Sequence, residues 1–313
     1  LGTYSYSDTA RVAAEVLKCN WDNCIVERGD SRRHLPWSPT QSGSKTSFSS
    51  SRQSYVAAMD IIEKLKEIAA NDFGGTPDDY DIKDETVFAT ADPSESMTYA
   101  QAAQRAIELG GKFSGQEMPS NLHEITKASV AALAGTGLIG MAKDTVPVEG
   151  VVAGITIGFM EIELDTETGQ FEILDYIGVT DCGTVLHPQS LSTQIKGGAV
   201  QGIGMAATER HIYDPQNGLP ANVGFLGCKP PSYLDVPPTM QTAAVELVDP
   251  QNPVGAKGMG EPPLGCAAAA LVCAISDALG GVYFNRTPIS PDMIVNAVSG
   301  RAQSHRPLQV NTA

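Results

Sequence analysis

The spacing of apolar residues predicts three main helices. Residues 55–71 carry apolar side chains every three or four positions, and glycines follow at 74 and 75. Thr98 followed by Gln101 forms a capping-box signature for a helix that runs to Leu109. Pro262 begins a third helix, in which apolar residues keep the helical period as far as Leu279.

Two more helices are expected from start signals and composition. Ser7 or Asp8 is predicted to cap a short helix that ends near Lys18. A glycine-rich helix is predicted from Pro188 to about Arg210.

Runs of β-branched and aromatic residues predict the strands. Residues 151–164 and 171–180 flank a polar turn and form a hairpin, and shorter strands are predicted at 24–27 and 243–248. Residues 30–51, rich in Ser and Thr, and the proline-rich residues 214–238 are predicted loops. Because helices and hairpins are mixed without regular βαβ alternation, we expect the α+β class rather than a doubly wound α/β fold.

Composition and charge exclude several classes of protein. A net charge of −15 over 313 residues repels phosphate backbones and anionic lipids, so nucleic-acid binding is not expected. No run of 18 apolar residues occurs, which excludes a membrane-spanning helix. The six cysteines show neither zinc spacing nor an iron–sulfur cluster motif, and we expect reduced thiols and a cytoplasmic location. A first residue other than Met suggests that the sequence starts inside a longer gene product.

The segment 257–263, KGMGEPP, is the strongest candidate for chemistry. Its glycines allow close backbone approach, and two prolines fix the chain just after Glu261. Glu261 is therefore either a carboxylate that caps the following helix or a pre-aimed general base. The spacing alone leaves both alternatives open.

Two further segments are candidates for ligand binding. Residues 197–204, GGAVQGIG, do not follow a strand as a dinucleotide-binding motif requires, so their glycines allow either a flat ligand beside Gln201 or tight helix packing. Residues 47–54, with several hydroxyls and Arg52, are expected to open the helix that contains Tyr55. They form either an anion-binding cradle or a serine-rich helix cap.

These segments, in this order, resemble the C-terminal half of the molybdenum-binding subunit of the xanthine dehydrogenase and aldehyde oxidoreductase family, the molybdenum hydroxylases. The resemblance covers most of the chain and is carried by residues 1–17, 50–58, 181–183, 188, 194–198, 201–204, 234–237, 257–263 and 286–295. It implies two packed molybdopterin-binding subdomains, at 1–145 and 146–313, the second with the catalytic glutamate segment. Tyr4, His187 and Lys196 depart from the residues usual in the family.

The resemblance also implies the activity and the site. Glu261 is the expected general base toward a water-derived hydroxyl group on molybdenum, in the oxidation of an aldehyde, an N-heterocycle or another activated carbon. A pyranopterin dithiolene, often as a cytosine dinucleotide, holds the metal, so no side chain of this chain is an expected ligand. The expected cofactor contacts are Ser50, Ser51, Arg52, Gln53, Gln194, Gln201, Gly202, Gly204, Lys257, Gly258 and Gly260.

The resemblance further implies partner subunits. The first molybdenum-binding half of the family, its two [2Fe–2S] clusters and its FAD domain are not recognised in this sequence, so we expect a second molybdenum-binding subunit, a [2Fe–2S] subunit and a flavoprotein. The sequence is similar to the second chain of a split molybdenum subunit. Two alternatives remain open: the same cofactor used for aromatic thioester reduction, CO oxidation or hydration, and a non-catalytic assembly subunit.

Overall fold

The structure, a computed structural model, describes residues 5–38 and 40–304, apart from the side chains of Ser7 and Asp8. The chain forms two compact units: unit 1 comprises Leu1–Val152 and Val248–Gly258, and unit 2 comprises Ala153–Leu247 and Met259–Ala313. Residues 1–4, which begin the first segment of the family resemblance and include Tyr4, lie outside the described residues.

Within the described residues, unit 1 contains four α-helices and a small antiparallel sheet. The helices are α1 (Ser5–Val16), α2 (Thr46–Phe73), α3 (Tyr99–Leu109) and α4 (Glu124–Leu133). The strands β1 (Tyr80–Lys83), β2 (Thr86–Ala89) and β3 (Ser96–Thr98) pair in the order β1-β2-β3. The core lies between α2, α3 and this sheet, where Leu65, Ile68, Val87, Ala102 and Ala106 are fully buried. Burial of these aliphatic side chains is the main force that holds the unit together.

Several local predictions for unit 1 are confirmed. The Thr98–Gln101 capping box forms at the start of α3, and Gly110 ends that helix with a φ of 67°. Gly74, with a φ of 98°, ends α2 as expected. Each signal acts within one turn of chain, so its effect does not depend on distant packing.

Other predictions for unit 1 are wrong. Residues 24–27 form no strand: no neighbouring strand pairs with them within the described residues, and Ile25 is 87% exposed. Helix α1 begins at Ser5, so Ser7 and Asp8 lie within it rather than at its cap. Helix α2 begins at Thr46 rather than Tyr55, because buried contacts of its first two turns outweigh the low helix propensity of Ser and Thr. Strands β1 to β3 and helix α4 were not predicted.

Unit 2 places two long helices against a mixed sheet. Strand β4 (Ile155–Leu164) pairs antiparallel with β5 (Phe171–Asp181), and β5 pairs parallel with β6 (Thr239–Val245). The helices are α5 (Pro188–Ala207), α6 (Pro262–Ala278) and α7 (Pro291–Val298). The core contains Ile203, Leu271, Ile275, Met293 and Ile294. These residues come from all three helices of the unit.

A pair of glycines lets the helices of unit 2 approach the sheet closely. Gly158 and Gly178 face each other on β4 and β5, and the buried ring of Tyr176 covers both. A Cβ at Gly178 would lie 2.7 Å from the Ile195 side chain on α5, and one at Gly158 would lie 2.6 Å from the Cys266 sulfur on α6. Any larger residue at either position would push a helix away from the sheet.

The structure confirms the α+β class and most elements predicted for unit 2. The hairpin forms with strands that start at Ile155 and Phe171, and α6 begins at Pro262. Helix α5 begins at Pro188 but ends at Ala207 instead of near Arg210, and β6 begins at Thr239 rather than at residue 243. In the part of the chain that the structure describes, no helix is long and apolar enough to cross a membrane.

Candidate functional site

The predicted site residues are divided between the two units. Unit 1 holds Ser50, Ser51, Arg52, Gln53, Lys257 and Gly258. Unit 2 holds Gln194, Gln201, Gly202, Gly204, Gly260 and Glu261. The chain passes from unit 1 to unit 2 between Gly258 and Met259, inside the segment that was predicted to carry the chemistry.

In unit 1, the serine-rich segment lies inside α2 rather than at its start. The backbone N–H of Ser49 already donates to the Lys45 carbonyl at 2.8 Å, so residues 50–53 belong to the second turn. The expectation that they open the helix with free N–H groups is therefore wrong. Gln53 is exposed, Ser50 is half-buried, and Ser51 is fully buried.

Arg52 is buried, at 3% exposure, and its guanidinium binds other parts of unit 1. Its Nε and Nη2 donate to the two carboxylate oxygens of Asp144 at 2.7 and 3.0 Å. It also donates to the backbone carbonyls of Val146, Pro147 and Gln251, which makes five hydrogen bonds in total. A guanidinium has five N–H groups, so these contacts occupy all of them. Arg52 thus braces two loops of unit 1 and presents no donor to a ligand in this structure.

The segment Val248–Gly258 is held against the start of α2. The Asn252 amide donates to the Phe48 carbonyl at 3.0 Å and to the Ser51 hydroxyl at 2.9 Å. Gly258 lies so close to the preceding loop that a Cβ there would be 1.4 Å from the Ser44 carbonyl oxygen. Only glycine fits at that position, and Lys257 beside it is buried. The backbone is therefore fixed immediately before the chain enters unit 2.

In unit 2, two glycines of α5, Gly198 and Gly202, face α6. A Cβ at Gly202 would lie 2.2 Å from the Leu264 carbonyl oxygen, and one at Gly198 would lie 2.9 Å from the Pro263 side chain. A Cβ at Gly204 would lie 2.6 Å from Glu209 and Pro231. Of the two alternatives for this segment, tight packing accounts for the buried glycines.

The opposite side of α5 offers polar groups to solvent. Gln201 and Gly197 are exposed, and Gln194 is half-buried one turn earlier. Their spacing of three and four residues puts them on one face of the helix. Nothing lies within 4 Å of the position that a Cβ of Gly197 would occupy. Amide side chains both donate and accept, so this face can bind a flat polar ligand such as a pterin.

Glu261 stands at the N-cap position of α6 and is exposed. Pro262 and Pro263 occupy the first helical positions, and the Leu264 N–H donates to the Glu261 carbonyl at 2.9 Å. Within the described residues, the Glu261 side chain makes no capping hydrogen bond to α6. The carboxylate is thus held on a stiff turn without being used to cap the helix.

The turn at residues 234–237 is stabilised by its own carboxylate. Asp235 accepts hydrogen bonds from the Lys229 ammonium and from the Ser232 hydroxyl and backbone N–H. These contacts, with the Lys229 pair the largest, lower the pKa of Asp235 from 3.8 to about 2. An ionised Asp235 therefore holds the end of the proline-rich loop at neutral pH.

Sequence reasoning missed the residues that support the predicted ones. Asp144 and Asn252 hold the start of α2 in unit 1, and the hydroxyls of Thr156 and Thr180 contact the Met259 sulfur in unit 2. A buried arginine needs a carboxylate partner, but nothing along the chain indicates which carboxylate that is. The described residues contain no group of three or more His, Cys, Asp or Glu arranged to bind a metal ion.

Comparison with protein families decides the relationship. The model of the molybdopterin cofactor-binding domain matches residues 1–237. The chain belongs to the molybdopterin cofactor-binding domain family. Molybdopterin is therefore the cofactor that the site residues are expected to fit.

Relatives of the family extend the match to almost the whole chain. The gamma subunit of the 6-hydroxypseudooxynicotine dehydrogenase complex of Paenarthrobacter nicotinovorans is 28% identical over 95% of this chain. The large subunit of nicotine 6-hydroxylase from the same organism is 28% identical over 93%. These matches cover 35% and 33% of the two relatives, so the chain spans about a third of their length.

Solved structures of molybdenum enzymes share the fold. Quinoline 2-oxidoreductase from Pseudomonas putida 86 aligns with a TM-score of 0.70 and 25% identity, over 96% of this chain and 36% of that chain. A Cu,Mo-CO dehydrogenase aligns with a TM-score of 0.74 over 96% of this chain and 35% of that chain, at 21% identity, which shows the fold alone. The chain therefore has the fold of the molybdopterin-binding region of molybdenum hydroxylases.

Proposed function

We propose that this chain contributes the general base and part of the cofactor site of a molybdenum hydroxylase. The observation that carries the proposal is Glu261, an exposed carboxylate on a turn stiffened by two prolines at the start of α6. A base must be held in place, and its oxygens must be able to reach the proton that they accept.

The residues of unit 2 fit a pterin cofactor. Gln194 and Gln201 offer amide donors and acceptors on one face of α5, with open space above Gly197 between them. We propose molybdopterin, in its cytosine dinucleotide form, as the ligand of this face. Gly202 and Gly204, predicted as contacts, serve the site by letting α5 pack against its neighbours within unit 2.

The residues of unit 1 hold backbone rather than offer charge. Ser51 and Arg52 fix the loops 144–147 and 248–258, and Gly258 permits the close approach to Ser44. We propose that Ser50 and Gln53, on the more accessible side of α2, contact the cofactor directly. Ser51 and Arg52 then act as positioning residues within unit 1, as do buried Lys257 and Gly258, and in unit 2 Gly260 directly precedes Glu261.

The bound cofactor supplies the two-electron oxidation of the substrate. Glu261 accepts, on a carboxylate oxygen, the proton of the water-derived hydroxyl group that attacks the substrate carbon. The two prolines after Glu261 limit the rotation of its backbone, so the carboxylate is oriented before the substrate arrives.

For the substrate, we propose an N-heterocyclic compound oxidised at a carbon next to a ring nitrogen. The relatives named above act on nicotine and quinoline derivatives according to their names. Aldehydes, xanthine-type purines and CO are the competing classes, because other family members are named for them. A panel of nicotine, quinoline, hypoxanthine, benzaldehyde and CO, with turnover measured for each, decides between them.

We also propose that further molybdenum-binding, [2Fe–2S] and FAD modules, on this or other polypeptides, complete the enzyme. The outer face of β4 supports this proposal, since Ile155, Ile157 and Phe159 are each more than half exposed along one side of the strand. Apolar surface of this kind marks a protein–protein contact. Affinity purification of the tagged chain from its native cells, followed by metal, flavin and subunit analysis, tests this composition. Purification with none of these modules contradicts it.

The test of the general base is Glu261→Gln in the assembled enzyme. The amide keeps the size of the side chain but is not basic, so turnover should fall at least about 100-fold while molybdenum content stays at the wild-type level. Glu167→Gln, an exposed carboxylate in the turn of the hairpin, is the matched control and should leave turnover unchanged. Wild-type turnover in Glu261→Gln would refute the proposed role. If the purified wild-type protein contains no molybdenum, the result would instead favour an assembly subunit.

The test of the cofactor contact is Gln201→Ala. The side chain is exposed on α5, so its loss should not lower the melting temperature of the chain but should lower the molybdenum and cytosine nucleotide content of the purified enzyme. Gln189→Ala, an exposed glutamine in the first turn of α5 and three turns away from Gln201, is the matched control and should retain both. Full cofactor content in Gln201→Ala places the contact elsewhere.

A further inference from the structure

We propose that a hydroxyl relay, Thr156 to Thr180 to the sulfur of Met259, is a positioning device that holds the Glu261 turn against the sheet of unit 2. All three residues belong to that unit, and Met259 precedes Glu261 by two positions. The inference rests on the proposed function, because it assigns a purpose to the position of Glu261.

The relay is a short chain of hydrogen bonds. Thr156 and Thr180 face each other across β4 and β5, and their hydroxyl oxygens are 2.9 Å apart. The Thr180 hydroxyl lies 3.0 Å from the Met259 sulfur, and the Thr156 hydroxyl lies 3.6 Å from it. The Thr180 hydroxyl also lies 3.3 Å from the Ile155 carbonyl, which is a second acceptor for its one proton. We assign this proton to the Met259 sulfur, at the shorter distance of 3.0 Å, with Thr156 donating to Thr180.

Burial keeps water from replacing the hydrogen bonds of this relay. Thr180 is fully buried and Met259 is 8% exposed, so neither group has ready access to water. A buried hydroxyl without a partner is unfavourable, and a thioether sulfur is a weak acceptor that methionine rarely uses in an apolar core. The sulfur therefore gains a fixed location from the two hydroxyls, which a leucine at the same place would not have.

The consequence for Glu261 follows from the short chain between them. Gly260 is the only residue between Met259 and Glu261, and Pro262 and Pro263 follow at once. The turn is thus fixed on one side by the start of α6 and on the other by the Met259 sulfur. A displacement of about 1 Å at a reacting group can reduce catalysis about 100-fold, so a fixed turn matters for a base.

Substitutions at both ends of the relay test the proposal. Thr180→Val keeps the shape of the side chain and removes the hydroxyl, and Met259→Leu keeps an apolar side chain of similar size and removes the sulfur. In the assembled enzyme each should lower kcat at least about tenfold with KM within about twofold of wild type, and the double variant should be no worse than the poorer single variant. Thr180→Ser restores the hydroxyl and should recover most of the loss.

A readout without activity distinguishes the relay from the proposed function. Hydrogen exchange of the backbone N–H groups within residues 259–265, which Pro262 and Pro263 lack, should be faster in Thr180→Val and Met259→Leu. The Leu264 N–H, which donates to the Glu261 carbonyl, is among those observed. The control is Thr242→Val, which removes another sheet hydroxyl, bonded to Ser192 at 2.9 Å, and should leave this exchange unchanged. If Glu261→Gln is fully active, the proposed base fails, but the exchange experiment still decides whether the relay holds the turn.

Two results with these variants would overturn the proposal. If Thr180→Val and Met259→Leu show wild-type exchange at residues 259–265, the relay does not hold the turn. If they exchange faster but kcat stays within twofold of wild type, the turn is held but the hold does not position Glu261. If Thr180→Val does not fold, Met259→Leu, which buries no new polar group, decides by the same two measurements.

Discussion

Replacing Arg52 by methionine separates a bracing role from direct ligand binding. The substitution keeps an apolar stem of similar length and removes a guanidinium that makes five hydrogen bonds within unit 1. Asp144 then loses its ion-pair partner, and because its carboxylate is only 23% exposed, water replaces that partner poorly. The carbonyls of Val146, Pro147 and Gln251 lose their donor as well.

The size of the effect follows from burial. Removing one partner of a buried ion pair typically costs about 3–5 kcal/mol, because the other charge stays buried without compensation. The Asp144 carboxylate keeps a bond from the Val146 N–H at 3.0 Å and some contact with solvent, which places the expected loss at the lower end, about 3 kcal/mol. The change in cation–π contact with Phe48, whose ring lies 5.3 Å away, adds little, about 0.5–1 kcal/mol.

Urea denaturation of the purified chain measures this loss. Arg52→Met should lower the free energy of unfolding by about 3 kcal/mol, whereas Arg32→Met should leave it almost unchanged, because the Arg32–Asp30 pair is exposed to solvent. Arg52→Met combined with Asp144→Leu should recover part of the loss, since no unpaired charge remains. Equal stability of Arg52→Met and Arg32→Met would refute the bracing role and return Arg52 to the candidates for direct contact with an anionic ligand.

Two further predictions concern unit 2. Gly202→Ala places a Cβ 2.2 Å from the Leu264 carbonyl oxygen and should destabilise the unit by about 1–3 kcal/mol. Gly197→Ala places a Cβ that meets nothing within 4 Å, so it should stabilise α5 by up to about 1 kcal/mol. Thermal unfolding compares the two variants, and equal effects would contradict the packing of α5 on α6. Asp235, with a pKa lowered from 3.8 to about 2, stabilises the fold fully above about pH 4 and loses this contribution as the pH falls towards 2. Lys229→Met should raise the pKa of Asp235 towards 3.8 in an NMR titration of its carboxyl carbon, and an unchanged pKa would show that Lys229 is not its main cause.

Sequence by itself determined the elements whose signals are local. Pro262 begins α6, the Thr98–Gln101 box begins α3, and the polar residues 165–170 turn the hairpin, because each signal acts through hydrogen bonds or fixed torsion angles within a few residues. The family resemblance, confirmed for residues 1–237, came from motif order along the chain. Glu261 was singled out in the same way, from its glycines and prolines.

Tertiary structure alone decided which partners the site residues have. Thr46 begins α2 because Ser51 and Arg52 bind Asn252 and Asp144, residues far away in the sequence. Gly202 packs against α6. The sequence left open whether this glycine allows a ligand to approach or two helices to pack. Long-range contacts of this kind depend on which side chains folding brings together, and periodicity along one segment carries no information about the segment that will cover it. For the same physical reason, the Met259 sulfur and the Thr180 hydroxyl, 79 residues apart, could be joined only in the folded unit.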